Sequence, residues 1–234
     1  MDDFDAPSAV VLVIVDPEDI LYHGRPLRIR ALAEALAGHI SSGKVQLEPG
    51  TQIDYIRLAE HIEEKINSAG AVLQSEEHLR QLLQQVEAIL TRLIEAEPLE
   101  LFPSVMSVLR DFKESGCDLA WYSHCSRNAL LALMEKLQWD ALISFCSCTQ
   151  DAGRNTTGGA LADILENLQC FPGESLLISN NRLVLAQARE MKISSVACIW
   201  GKPPREVLSM ADFRAESPQD LQEIIKKVKE KDAE

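Results

Sequence analysis

Three short segments carry side chains able to do acid–base, nucleophilic or anion-binding chemistry. Asp16 closes the run VVLVIV and is followed at once by Pro17, Glu18 and Asp19. Ser123 and His124 follow the run DLAWY, and Ser179-Asn180-Asn181 follows SLLI. A carboxylate at such a place can attack an electrophile, carry a proton or hold a cation, while hydroxyl and amide groups can donate to an anion. A softer set also exists: His124-Cys125 with Cys146-x-Cys148 offers imidazole and thiolate, which suit zinc. That spacing is not a zinc-ribbon spacing, and the competing reading makes these cysteines small buried hydrophobes. Asp16 and Ser123 have their own competing readings. Asp16 could simply end a strand or pair with a cation, and Ser123 could cap its own turn. His23, His61 and His78 fall in loop or helical positions and are assigned no role.

These groups need elements that bring them together. The run Val10 to Val15 is continuous and β-branched, which suits a strand buried on both faces of a parallel sheet. Further strands are expected at 118–123, 141–146, 175–179 and 195–200. Helical periodicity runs over 127–137, with Ser126 as N-cap, and over 182–191 after the SNN turn. Strands alternating with helices imply an α/β fold, a Rossmann-like doubly wound parallel sheet. In such sheets ligands lie outside the carboxyl ends of the strands, so Asp16, Ser123 and the Ser179–Asn181 turn should face one crevice.

Between the first strand and Pro98 the pattern holds no convincing strand and at least three amphipathic helices. It reads as an α-helical cap inserted over 25–97, with 1–24 and 98–234 forming the sheet domain. The last helix starts at Ser75 and aligns Leu79, Leu82, Val86, Leu90 and Leu93 on one stripe. The stripe either packs inside the insertion or meets a protein partner, including a second copy of the chain. The stretch 41–50 reads as a turn region.

Composition narrows the function classes. Among 234 residues, 36 Asp and Glu oppose 23 Lys and Arg, a formal charge of −13 with no basic, aromatic-interleaved patch. A nucleic-acid partner is therefore not expected. No apolar run approaches the roughly 20 residues that span a bilayer, and the opening MDDFDAPSA is acidic, so no membrane role and a cytosolic location are expected. The six cysteines are too dispersed for a disulfide scaffold and are expected reduced.

Over nearly its whole length the chain resembles the haloacid dehalogenase-like hydrolase superfamily, in its phosphoglycolate phosphatase and β-phosphoglucomutase-like branch. VDPEDILYHGRPL resembles that family's opening, in which a buried strand runs into Asp-x-Asp-Gly-Thr-Leu and a Pro-Leu leads into the helical cap. LFPSVMSVLRDFKESGCDLAWYSHCSRNALLALMEKL and PGESLLISNNRLVLAQAREMKISSVACIWG resemble the later motifs in order and spacing, and ADFRAESPQDLQEII the last strand and helix. The resemblance implies a Rossmann-like core with a helical cap and phosphoryl-transfer chemistry. It implies Asp16 as nucleophile, Glu18 at the place of the general acid/base, Ser123 at the second motif, and Arg154 at the place of a lysine.

The same register exposes departures. A carboxylate attacking a phosphate dianion needs Mg²⁺ to offset like-charge repulsion, and acidic residues on the fourth loop hold that ion. Here those positions fall on Asn180 and Val184, which leaves Asp16 as the remaining, weak metal ligand. No cofactor is expected, Mg²⁺ having only a weakened site. Asp19 replaces a turn glycine and Ile20 a threonine. Ser123, His124, Arg154, Ser179, Asn180 and Asn181 still supply donors for a small anionic ligand. Three readings follow. One is a degenerate family member used in binding or regulation. Another is a surviving hydrolase built on Asp16, either a phosphomonoesterase or a metal-independent 2-haloacid dehalogenase-like enzyme suggested by Ser179-x-Asn181. The third is an interaction scaffold acting through its cap helices.

Overall fold

The computed structural model describes residues 10–41, 76–102, 104–149 and 156–231. Six parallel strands form one sheet in the order β3-β2-β1-β4-β5-β6, with β1 Leu12–Val15, β2 Asp118–Ser123, β3 Phe145–Cys148, β4 Ser175–Ile178, β5 Ser194–Cys198 and β6 Phe213–Ala215. β1 is central and pairs Val15 with Trp121 of β2 and with Ile178 of β4. All four of its residues are buried because alternate side chains feed separate cores. Val13 and Val15 join the larger core with Leu119, Trp121, Leu176 and Ile178, whereas Leu12 and Ile14 join Ala120, Tyr122 and Leu177 on the opposite face. The unbroken apolar run is thus the signature of a two-sided sheet.

Helices close both faces. α1 Gly24–Ser41, α2 Glu76–Ala96, α3 Val105–Glu114, α4 Arg127–Leu137 and α8 Asp220–Lys231 contribute to the larger core, while α5 Thr157–Leu168 and α6 Arg182–Met191 cover the other face. A short α7, Arg205–Leu208, packs beside β5. Ser126 caps α4 by accepting from Ala129 N, as its sequence position suggests. None of the described helices is long and apolar enough to cross a membrane.

Two strands start and stop elsewhere than the periodicity suggests. The segment 141–144 is not strand, because Leu142 N and Ile143 N both donate to Trp139 O and close a turn on the buried Trp139 ring. β3 therefore begins only at Phe145. β5 ends at Cys198, where Ile199–Gly201 coils into a 3₁₀ turn.

α1 and α2 lie between β1 and β2 in the chain, as the helical pattern suggests, while residues 42–75, including the proposed turn region, fall outside the described residues. Leu82, Val86, Leu90 and Leu93 of the α2 stripe are all buried in the larger core, packed among α1 and α4; the side chain of Leu79 is outside the described set. The chain enters and leaves this region side by side: Phe102 N donates to Leu21 O and His23 N to Glu100 O, each at 2.9 Å.

Candidate functional site

Asp16 sits one residue beyond β1, its backbone N–H held by Ile178 O at 2.9 Å. That bond extends the parallel ladder and points the side chain across the carboxyl end of the sheet toward β4. Its Oδ2 accepts from Ser179 Oγ at 2.8 Å, and Oδ1 is buried without a hydrogen-bond partner. The residue is 2% exposed. Burial pushes its carboxyl up to about 6; His124 and the Ser179 hydroxyl oppose the shift, and the Glu18 charge adds to it.

Glu18, two residues further on, is held by an arginine and a histidine. Arg28, on the second turn of α1, pairs with its Oε1, and His124 Nε2 stands 3.2 Å from its Oε2. Arg28 Nη1 also lies 3.5 Å from His124 Nε2. Burial disfavours the Glu18 anion, yet Arg28 and His124 outweigh it and hold the carboxyl down near 2. The converse acts on His124: burial lowers its basicity, but the bond to Glu18 and the charges of Glu18 and Asp16 raise it above the ordinary imidazole value. Its Nδ1 is buried without a partner.

The loop between β1 and α1 explains how Glu18 reaches Arg28. Asp19 adopts φ 57°, the left-handed region that a glycine would fill without cost. An Asp tolerates it here because its Oδ1 accepts from Gly24 N and Arg25 N at 3.1 and 3.2 Å, capping α1. Gly24 leaves room for the Glu18 side chain, which a Cβ at that position would strike.

On the β4–β5 side the polar residues are bonded into the backbone. Asn180 Nδ2 donates to Cys198 O at 2.9 Å and to Asp19 O at 3.3 Å, and its Oδ1 accepts from Cys198 N at 2.8 Å. Gly201 stands so close that a Cβ there would meet Asp19 O and Asn180 Nδ2. Asn181 caps α6 through Leu183 N and Val184 N, and Ser179 Oγ accepts from Asn181 N. Val184, at the second acidic position of the family register, is 1% exposed and packs in the core shared with α5. The β2 side is similar. Ser123 Oγ accepts from Cys125 N at 3.0 Å, closing its own turn, and the free N–H at the head of α4, Ser126 N, is taken by Glu87 Oε2 of α2 at 2.7 Å.

The structure therefore brings Asp16, Glu18, Ser123, His124 and Ser179 to one crevice, with Asn180 and Asn181 adjoining it as structural braces. Arg154 lies outside the described residues. Cys146 and Cys148 are on β3, and the metal-capable group among the described residues is instead Glu18, His124 and Cys125. Sequence reasoning missed Arg28, Glu87 and the bracing role of Asn180; the one signal for Arg28 was a cation just past the Pro26-Leu27 pair. Enclosed space at the crevice, bounded by Pro17, Glu18, Tyr22, Ser123 and Cys125 with side chains of α2 and α4, is about 10 Å³. That is room for about one water. The larger hollow, about 790 Å³ between α2 and the head of α4, is lined by Arg80, Leu83, Gln84, Glu87 and Asn128 and does not reach Asp16.

Comparison with solved structures decides the fold. A haloacid dehalogenase-like hydrolase from Streptococcus pneumoniae superposes with a TM-score of 0.71 at 16% identity, covering 92% of this chain and 98% of that one. The fold is that of the haloacid dehalogenase-like hydrolases. A candidate phosphoglycolate phosphatase from Lactobacillus plantarum gives 0.72 at 17% identity, covering 92% and 99%. CbbY from Rhodobacter sphaeroides, solved with phosphate, gives 0.66 at 14% identity, covering 91% and 96%. No protein-family model and no curated protein sequence matches the chain. On this fold Asp16 lies just beyond the carboxyl end of the central strand.

Proposed function

We propose that this protein uses the haloacid dehalogenase-type fold for binding or regulation and does not carry out magnesium-dependent phosphoryl transfer. The observation that carries the reading is that, among the described residues, the groups placed to hold Mg²⁺ and phosphate are, apart from Asp16 Oδ1, bonded within the chain. Arg28 stands on the carboxylate next to the nucleophile position, and Asn180 spends its amide on Cys198 and Asp19. Mg²⁺ needs several hard oxygens in near-octahedral geometry. Asp16 Oδ1 is one unpartnered carboxylate oxygen, Glu18 is committed to Arg28 and His124, and Asn180 and Val184 supply no charge. The donor set among the described residues does not fit the ion. A phosphate dianion fares no better, since Ser123 Oγ, Ser126 N and Asn180 Nδ2 already have acceptors or roles within the chain. Among the described residues the one cation side chain at the crevice besides His124, Arg28, is paired with Glu18, so they offer the transferring group little of the preorganised positive charge on which phosphoryl transfer depends.

A domain division at 25–97 fits this reading, with α2 sealing the crevice through Ile94 and Glu87. The α2 stripe is buried inside the chain, so a protein partner or second copy would dock on other surfaces of these helices. The test is turnover of a phosphomonoester panel and of 2-chloropropionate, with and without Mg²⁺, by the wild type and Asp16→Asn. Equal, near-background rates support the proposal; hydrolysis abolished by Asp16→Asn sinks it and revives the hydrolase reading.

A further inference from the structure

Glu18, His124 and Cys125 form a second constellation within the same crevice. One carboxylate oxygen, one ring nitrogen and the thiol sulfur lie within 4.8 Å of one another. Zinc bonds of about 2.0–2.3 Å place tetrahedral ligand atoms roughly 3.3–3.8 Å apart, so the three close on one ion with side-chain adjustments of about an ångström. The set is built into the fold. The Ser123 turn fixes the Cys125 backbone through its N–H, and Cys125 and Glu18 are both more than nine-tenths buried. One buried polar atom of this set, His124 Nδ1, has no hydrogen-bond partner, and Asp16 Oδ1 beside it, on a residue 2% exposed, has none either, while Glu18 Oε2 has the His124 Nε2 contact at 3.2 Å. Native proteins rarely leave such atoms unsatisfied without a bound group.

Charge points the same way. Asp16, Glu18, Asp19 and Glu87 exert their negative charge on this cluster or on one another, against the positive charges of Arg28 and of His124 when protonated. Arg28 touches Glu18 and approaches His124 Nε2, so its guanidinium stands where a cation shared by those two groups would stand.

We infer that Glu18, His124 and Cys125 form a binding site for a single soft divalent cation of the zinc class, for which the Arg28 guanidinium is the internal competitor. This deepens the binding reading by naming a ligand, and it rests on the crevice being used for binding. Nitrogen and sulfur donors select zinc over magnesium. Three protein ligands leave a fourth position for water, the arrangement of an accessible rather than a closed structural site. On binding, bonds form from the metal to Glu18 oxygen, His124 nitrogen and Cys125 sulfur. The Cys125 proton, and that of any His124 imidazolium, passes to the buffer, and Arg28 swings away with its charge unchanged. No electrons are transferred.

The test uses the full chain, stripped with a chelator and titrated with Zn²⁺ by calorimetry and with Co²⁺ by absorption. Expected are one equivalent bound and a thiolate-to-cobalt charge-transfer band. Cys125→Ser should abolish the band and weaken Zn²⁺ at least tenfold, Arg28→Ala should tighten Zn²⁺ at least tenfold, and Mg²⁺ should not compete. His124→Gln, which keeps a polar side chain, covers the case in which Cys125→Ser does not fold, and should likewise weaken binding tenfold. No binding by the wild type, or binding unaltered in Cys125→Ser or His124→Gln, overturns the site. Either result is independent of the hydrolysis assay, so failure here leaves the non-catalytic reading standing, and turnover there leaves the metal site to be judged on its own.

Discussion

The two sides of the crevice have been put to different uses. On the β4–β5 side, Ser179, Asn180 and Asn181 act as extensions of the backbone, holding the Asp16 carboxylate, the end of β5 and the head of α6. On the β1–β2 side, Asp16, Glu18, Arg28 and His124 remain ionisable, crowd one another, and leave Asp16 Oδ1 and His124 Nδ1 unpartnered. The first side is framework. The second keeps unspent capacity to bind, because a buried polar atom without a partner is costly and gains from any group that satisfies it.

The contrast breaks most sharply at Asn180. Asn180→Asp restores the acid of the family register but removes both donated bonds and sets a carboxylate against the carbonyls of Asp19 and Cys198. Denaturant unfolding should show a loss of roughly 3–5 kcal/mol, with no Mg²⁺ affinity gained. A variant as stable as the wild type would mean that the brace is not structural. Next comes Arg28→Ala, which strands the buried Glu18 anion and should cost about 3 kcal/mol at pH 7.5 in the absence of metal.

Asp16 should behave in the opposite sense. Its folded-state carboxyl titrates near 6, above its ordinary 3.8, so the folded chain binds the proton more tightly than the unfolded chain. Stability from this group is therefore full below about pH 4 and falls as pH rises through 6. Asp16→Asn removes that cost and should stabilise the metal-free protein by roughly 2–3 kcal/mol at pH 7.5, with the gain fading toward pH 4. A pH-independent difference between the two proteins would contradict the burial of this carboxylate. The smallest effect belongs to Ser179→Ala, about 1 kcal/mol in the same unfolding measurement, from loss of the hydroxyl that serves Asp16 and Asn181.

Much of the framework was readable in the chain, for reasons visible residue by residue. β1, β2 and β4 are apolar runs buried on two faces, and α4 and α6 carry Ser126 and Asn181 at their caps. β3 was misplaced because Trp139 captures Leu142 and Ile143 into a turn, a tertiary event that periodicity does not encode. At the crevice, Asp16, Ser123 and Ser179 were readable because each follows a strand end. Arg28 was not, since nothing in local spacing says which α1 cation turns onto Glu18. Glu87 reaches Ser126 across 39 residues of sequence, and Asn180 mimics backbone, which its residue type alone does not reveal.

The most direct measurement is titration of metal-free protein with Mg²⁺ and inorganic phosphate together at pH 7.5, followed by calorimetry and thermal unfolding, beside Asp16→Asn. The expected result is no binding heat and a Tm that moves by no more than about 1 °C in either protein. Stoichiometric binding with a Tm rise of roughly 4 °C or more, lost in Asp16→Asn, would show that the crevice takes magnesium and phosphate together and would contradict the proposed function.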